Sequence, residues 1–225
     1  MIKPLPSVFI ALLASPMINP HAIGADALHF TSLTQEFSAT ENSVDIHASY
    51  VFTNSSDHAI TISEIKTTCG CTTAELEKRT YQPGEAGTIN VIFDIGSRTG
   101  EQQKSIAVIS STGEKSTLVL KVHLPPGPSF SSTIASWRQG TPPDPRVIFI
   151  RLPKECTYTL TKATTSDEAL TATLKSGSEE NLVDLTIMPS STERAFNATI
   201  DLHTSNGKTF TLFANIIPTQ SITKP

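Results

Sequence analysis

Two thiols stand one residue apart at Cys69-Gly70-Cys71, inside the run Thr67-Thr68-Cys69-Gly70-Cys71-Thr72-Thr73, and the 225-residue chain has only one further cysteine, Cys156. Four chemistries fit that spacing. The pair can close a small disulfide ring, which draws the two Cα atoms closer than an extended tripeptide allows. Gly70 would permit the bend, and the strain would make the pair a mildly oxidising or isomerase-like thiol site. As thiolates the two can hold a soft metal, copper or zinc. A tetrahedral zinc site needs four ligands, or three and a water, and the nearby histidines His47 and His58 show no ligand spacing. They can act as small buried residues or a structural bridge that stiffens a turn, or one of them can pair with Cys156.

The compartment bears on that choice. Lys3 precedes an apolar run over 5–14, of signal-peptide length and too short to cross a bilayer as a mature helix, with Pro16 and Pro20 after it. Small residues around Ala22, Gly24 and Ala25 offer cleavage sites, so residues 1–25 are expected to be a signal peptide. The mature chain is then periplasmic or secreted, where disulfides persist. No later segment is apolar enough to span a membrane, and a net charge of −4 with scattered Lys and Arg gives no footprint for nucleic acid or an anionic membrane.

The elements that must position the cysteines read as β. Short alternating runs of Val, Ile, Thr and Ser recur, and no long segment keeps a helical period. Strands are expected at 44–53, 59–66, 87–93, 104–110 and 116–123. In the first of these Val44, Ile46, Ala48 and Tyr50 share a face and Val51 begins a shift. The cysteine motif follows the second strand directly. Asn54-Ser55-Ser56-Asp57 is a turn signal, and Gln82-Pro83-Gly84-Glu85 is a stronger one, with Pro83 preset for its second position and Gly84 suited to positive φ.

The same strand order is written twice. Strands at 146–151, 183–187, 200–202 and 211–216 repeat the first series; Gly207 lies 94 residues after Gly113 (207 − 113), and Ile200 lies 94 after Ile106 (200 − 106). The expected organisation is all-β, two tandem immunoglobulin-like β-sandwich domains at 28–124 and 130–218, a Pro-rich linker at 125–129 and a tail at 219–225. Trp137, the only tryptophan, is expected to anchor the second domain against the linker. The counterpart of the cysteine turn, taken as Thr164-Thr165-Ser166-Asp167-Glu168 at a 97-residue step (164 − 67), carries no cysteine.

Together, the runs 52–57 and 62–66, Thr68-Cys69-Gly70-Cys71-Thr72, Pro83-Gly84-Glu85, and 94–100 with Lys104 resemble domain of unknown function 1573. That bacterial family is related to the Hydin-type immunoglobulin-like modules. The resemblance covers about 30–123, and the 137–216 half is similar to the cysteine-free second sandwich found in exported members. It implies a β-sandwich and an envelope location and brings no established reaction.

Catalytic signatures are absent from the sequence. Asp45, Asp57, Glu64 and Asp94 are scattered strand and turn carboxylates, no serine lies in Gly-x-Ser-x-Gly, and there is no phosphate-cradling glycine loop. The expected function is an exported, non-enzymatic binding or structural module without a cofactor, contacting a protein or glycan of the cell envelope. The alternative is a thiol-redox or copper/zinc-handling protein acting through Cys69 and Cys71.

Overall fold

The computed structural model describes residues 27–219. The expected signal peptide and nearly all of the expected tail lie outside the described residues. Regular structure among the described residues is entirely β. The first nine strands are β1 (Leu28–Phe30), β2 (Thr34–Ser38), β3 (Asp45–Asn54), β4 (Ile60–Thr67), β5 (Thr72–Leu76), β6 (Thr80–Tyr81), β7 (Ala86–Asp94), β8 (Glu101–Ser110) and β9 (Lys115–His123). After Pro125-Pro126-Gly127-Pro128 come β10 (Ser129–Phe130), β11 (Ile134–Arg138), β12 (Arg146–Arg151), β13 (Leu160–Thr165), β14 (Leu170–Ser176), β15 (Leu182–Pro189), β16 (Phe196–Thr204) and β17 (Thr209–Ile217). Ser129, assigned to the linker by sequence, already belongs to β10.

In the first unit a sheet of order β1-β3-β7-β5 faces one of order β2-β9-β8-β4-β6. The second unit repeats the plan as β10-β12-β15-β14 and β11-β17-β16-β13. Each is a two-sheet immunoglobulin-like sandwich in which the first strand is split. β1 pairs antiparallel with β3 and β2 runs parallel to β9, as β10 does with β12 and β11 with β17. The hairpins β8–β9 and β16–β17 turn on Gly113 (φ 87°) and Gly207 (φ 85°), positions in the left-handed region where a side chain is strained.

Alternation fills the two cores. On β3 the inward set is Ile46, Ala48, Tyr50, Phe52 and Asn54 without interruption, so the shift expected at Val51 does not occur. Val51 faces out, and Val44, expected on one face with Ile46, Ala48 and Tyr50, precedes the strand and is 74% exposed. Tyr50 crosses the first sandwich to donate its hydroxyl to Val119 O at 2.8 Å, and burial pushes its pKa up to about 12. Trp137 is buried in the second core and its Nε1 donates to Asp144 O at 2.7 Å. It therefore pins the β11–β12 connection rather than the linker.

Specific contacts join the units. Pro125 O accepts from Gly100 N and Gly100 O from Leu124 N, both at 3.1 Å. Glu41, between β2 and β3, accepts from Thr157 N at 2.9 Å and from the Thr157 hydroxyl, while Asn206 Nδ2 donates to Glu41 O at 3.3 Å. At the same end, His123 on β9 lies between Glu36 of β2 (2.5 Å) and Glu101 of β8 (2.6 Å), an exposed ladder across three strands.

The hydrogen bonds to Glu101 and Glu36 raise the His123 pKa above its ordinary 6.5, and the bond to His123 lowers that of Glu36 below 4.5. The stability lent by His123 is complete below 6.5 and lost as pH rises through its raised value. The contribution of Glu36 is complete above 4.5 and lost as pH falls through its lowered value. The ladder is therefore strongest between those limits. The thermal-midpoint difference between the wild type and His123→Gln should be largest at about pH 5–6 and shrink above about pH 7; a difference that grows with alkalinity would contradict the ladder.

Candidate functional site

The cysteine motif forms the turn from β4 into β5, the point where the chain passes from one sheet to the other. Cys69 and Cys71 are joined in a disulfide with Cα atoms 5.2 Å apart. Thr67 Oγ1 and Thr72 N both donate to Cys69 O, at 3.2 and 3.3 Å. Asp94 N, at the end of β7, donates to Cys71 O at 2.9 Å. Thr72 is buried, with Oγ1 3.5 Å from Cys69 Sγ and 3.9 Å from Cys71 Sγ. Both cysteines are half-buried, and Cys71 packs against the first core.

Gly70 does not play the part expected of it. It lies outside the positive-φ glycines, and a Cβ built there meets nothing within 4 Å, so the bend makes no demand for glycine. Pairing across the units is also overturned, since Cys156 is free. It sits in the loop between β12 and β13, not in a strand, and its thiol is half-buried against the second core with its pKa raised, mainly by burial and then by the charge of Glu41. Among the described residues no three His, Cys, Asp or Glu side chains gather as a metal site. His47 and His58 face Asp45 and Asp57, at 3.4 and 2.8 Å.

The second sandwich makes the same turn without sulfur. Strand ends place Thr165 opposite Thr67 and Leu170 opposite Thr72, a step of 98 (165 − 67, 170 − 72), one more than the sequence suggested. Cys69 then corresponds to Asp167 and Cys71 to Ala169. Asp167 Oδ1 accepts from Ala169 N at 2.9 Å, so a hydrogen bond spans the positions that the disulfide spans in the first unit. The shared parts match too. Thr165 Oγ1 donates to Asp167 O at 3.2 Å and Leu170 N to the same oxygen at 3.1 Å. Arg194 Nη2 lies 2.7 Å from Asp167 Oδ2, and that bond leads the causes holding the Asp167 pKa below its ordinary range.

The Pro83-Gly84 turn carries a second constellation. Gly84 has φ 76°, which needs glycine, and Glu85 N donates to Gln82 O at 2.9 Å. Glu85 accepts from Gln82 N at 2.8 Å and pairs with Lys78. Asn54, fully buried at the end of β3, ties this turn to the β3–β4 turn. Its Nδ2 donates to His58 O and Tyr81 O at 2.8 and 2.9 Å, its Oδ1 accepts from Ser56 N at 3.0 Å, and its backbone exchanges bonds with Glu85 O and Gly84 N. The sequence marks Asn54 as a turn former; its hold on β6 is not legible there, because the partners are 27 residues away.

This geometry defines a tandem immunoglobulin-like β-sandwich protein whose first unit carries a disulfide-closed turn. Residues 28–124, the extent of the first sandwich, match the model of the family described as Protein of unknown function (DUF1573). Comparison with curated proteins finds no match. Among solved structures, a protein of unknown function from Porphyromonas gingivalis W83 is 15% identical, covering 84% of this chain and 100% of that one, with a TM-score of 0.34. PapD-like domain 7 of human CEP192 is 9% identical over 54% of this chain and 99% of its own, TM-score 0.38. The Vibrio cholerae VesB protease is 16% identical over 44% of this chain, TM-score 0.36, and the chain spans 32% of that protein's length. Likenesses this distant extend to no activity or partner. The family and the fold support a binding or structural module.

Two stability series check the roles of these residues. Replacing both cysteines by alanine should cost about 1–2 kcal/mol, the loop-closure term of so small a ring. Writing the second unit's solution into the first, as Cys69→Asp with Cys71→Ala, should recover about half of that in chemical denaturation. Equal stabilities for the two variants would contradict the shared role. Asn54→Ala should cost more than about 3 kcal/mol, because His58 O, Tyr81 O and Ser56 N lose their partner together; a loss below about 1 kcal/mol would remove Asn54 as a hub.

Proposed function

We propose that the chain is an exported, non-enzymatic binding or structural module of the bacterial cell envelope. The observation that carries this reading is the tandem pair of closed cores joined by a proline-rich linker, each with rim strands at the surface: β5 in the first sandwich, β13 and β14 in the second. Rim strands offer backbone donors and acceptors, so strand addition is the natural contact with a protein partner, and a glycan is the other surface such loops fit. The leader-like run over 5–14 supports export, and a turn closed by a disulfide suits an oxidising compartment.

A thiol-exchange or copper/zinc function remains the second reading, favoured by the partial exposure of Cys69 and Cys71. The hydrogen-bonded counterpart at Asp167 and Ala169 weighs against it, since the same turn serves without sulfur. Fractionation of expressing cells with N-terminal sequencing tests the leading reading. The expected product is a soluble envelope protein beginning at about residue 25–28, within reach of the small residues that end the leader. An unprocessed chain in the cytosol would contradict export. Measurable copper uptake or dithiol exchange that disappears in the Cys69→Ser, Cys71→Ser variant would replace the module reading with the second.

A further inference from the structure

The two sandwiches follow one strand plan and differ by one strand. In the first, β6 lies along the outer edge of β4. Ile62 N donates to Arg79 O at 2.8 Å, with Ile60 opposite Tyr81 and Thr61 opposite Thr80. Tyr81, 2% exposed, sets its ring edge-on to Phe52 with centroids 4.8 Å apart. Arg79 donates from its guanidinium to Ile62 O and Ser63 O at 3.2 and 3.3 Å, covering carbonyls on the rim. The chain's own segment thus shows what this position accepts: a short antiparallel strand with an aromatic ring directed inward and a basic residue two positions before it.

In the second sandwich that position has no strand. Only residues 177–181 join β14 to β15, and the sheet ends at β13. Strand register locates the counterparts. Leu160 faces Thr204 as Ile62 faces Ser110, and Ser205 N donates to Thr159 O as Ser111 N does to Thr61 O. Ile150 faces Phe130 as Phe52 faces Phe30, and Leu152 N donates to Asn181 O as Asn54 N does to Glu85 O, so Leu152 holds the place of Asn54, the residue whose side chain holds Tyr81 O. A cleft of about 520 Å³ opens there, with Leu152, Leu160, Leu174 and Leu182 among its walls and Glu179 and Glu180 on its rim. Glu179 is paired with Arg151 at 3.1 Å, whereas Glu180 makes no ion pair among the described residues.

We propose that this cleft receives, from a partner protein, the strand that the second sandwich lacks. The incoming segment runs antiparallel to β13, sends an aromatic side chain toward Leu152, Leu160 and Leu174, and brings a basic residue to Glu180. Main-chain hydrogen bonds to β13 supply the common part of the affinity, and the apolar cleft and acidic rim supply the choice of sequence. This inference rests on the binding-module reading and names the contact surface. The first sandwich's own β6 cannot serve in trans without unfolding, because Tyr81 and the Asn54 bonds hold it in place.

The test is an NMR titration of the full mature chain with the synthetic hexapeptide Lys-Arg-Thr-Tyr-Gln-Pro, the sequence of residues 78–83. Saturable amide shifts are expected at 159–161 and 174–176 with a Kd of about 1 mM or tighter, and a peptide with alanine for tyrosine should bind at least about tenfold more weakly. Glu180→Lys, an exposed change that leaves the core intact, should weaken binding severalfold at low salt. No shifts on β13 at peptide concentrations well above about 1 mM, or equal affinity for the tyrosine and alanine peptides, would overturn the proposal. Either result, obtained on a chain found processed in the envelope, would remove the cleft while leaving the module reading intact; a cytosolic chain would remove that reading whatever the titration gave.

Discussion

A strand on the rim of a sheet leaves alternate N–H and C=O groups facing outward, and each must find water, a side chain or another strand. The two sandwiches meet that constraint differently along matching strands. In the first unit β6 covers the start of β4, and its position is enforced from three sides: Asn54 holds Tyr81 O, the Pro83-Gly84 turn fixes the return of the chain, and Lys78 anchors on Glu85. Much of the 28–124 sequence that resembles the family is spent on this arrangement. In the second unit the register position of Asn54 falls on the buried Leu152, whose apolar side chain bonds no carbonyl, and neither hub nor covering strand follows.

The crossing from β4 to β5 poses a related problem with a different answer in each copy. The turn must bend sharply enough to change sheets while keeping the carbonyl at its second position bonded. Asp167 achieves this with a side-chain hydrogen bond to Ala169 N, backed by Arg194; Cys69 and Cys71 achieve it with a covalent link. A feature that looked like chemistry in isolation becomes, beside its internal counterpart, one of two ways to close a turn. Cys71 O also receives Asp94 N, so the closed turn steadies the start of the 94–100 loop, which reaches the linker through Gly100 and Pro125.

The long central strands were legible because each alternates over many residues: β3, β7, β8, β9, β12, β15, β16 and β17 were all anticipated within a few residues of their ends. The short rim strands were not. β5 hides in the polar end of the cysteine motif, β6 is two residues long, and the inward faces of β13 and β14 are short and built largely from alanine and threonine, Ala163 and Thr165 on one and Ala172 between Leu170 and Leu174 on the other. The cysteine pair was evident as a candidate from spacing alone. Its equivalence to Asp167 and Ala169 was not, because connections of unequal length shift the repeat from 94 in the hairpins to 98 at the turn. Gly70 misled for a simpler reason, since a glycine between two cysteines suggests a left-handed residue where the backbone has none.

The central claim is that the second sandwich lacks a strand that the first supplies to itself. Amide hydrogen exchange at two equivalent residues reads this directly. The N–H of Ile62 is bonded to Arg79 O beneath β6, while the N–H of Leu160 points outward from the bare edge of β13. The account requires Ile62 to exchange slowly, at a rate set by opening of the whole first sandwich, and Leu160 to exchange orders of magnitude faster in the same sample. Equal protection of the two amides would mean that the β13 edge is already covered and would contradict the account.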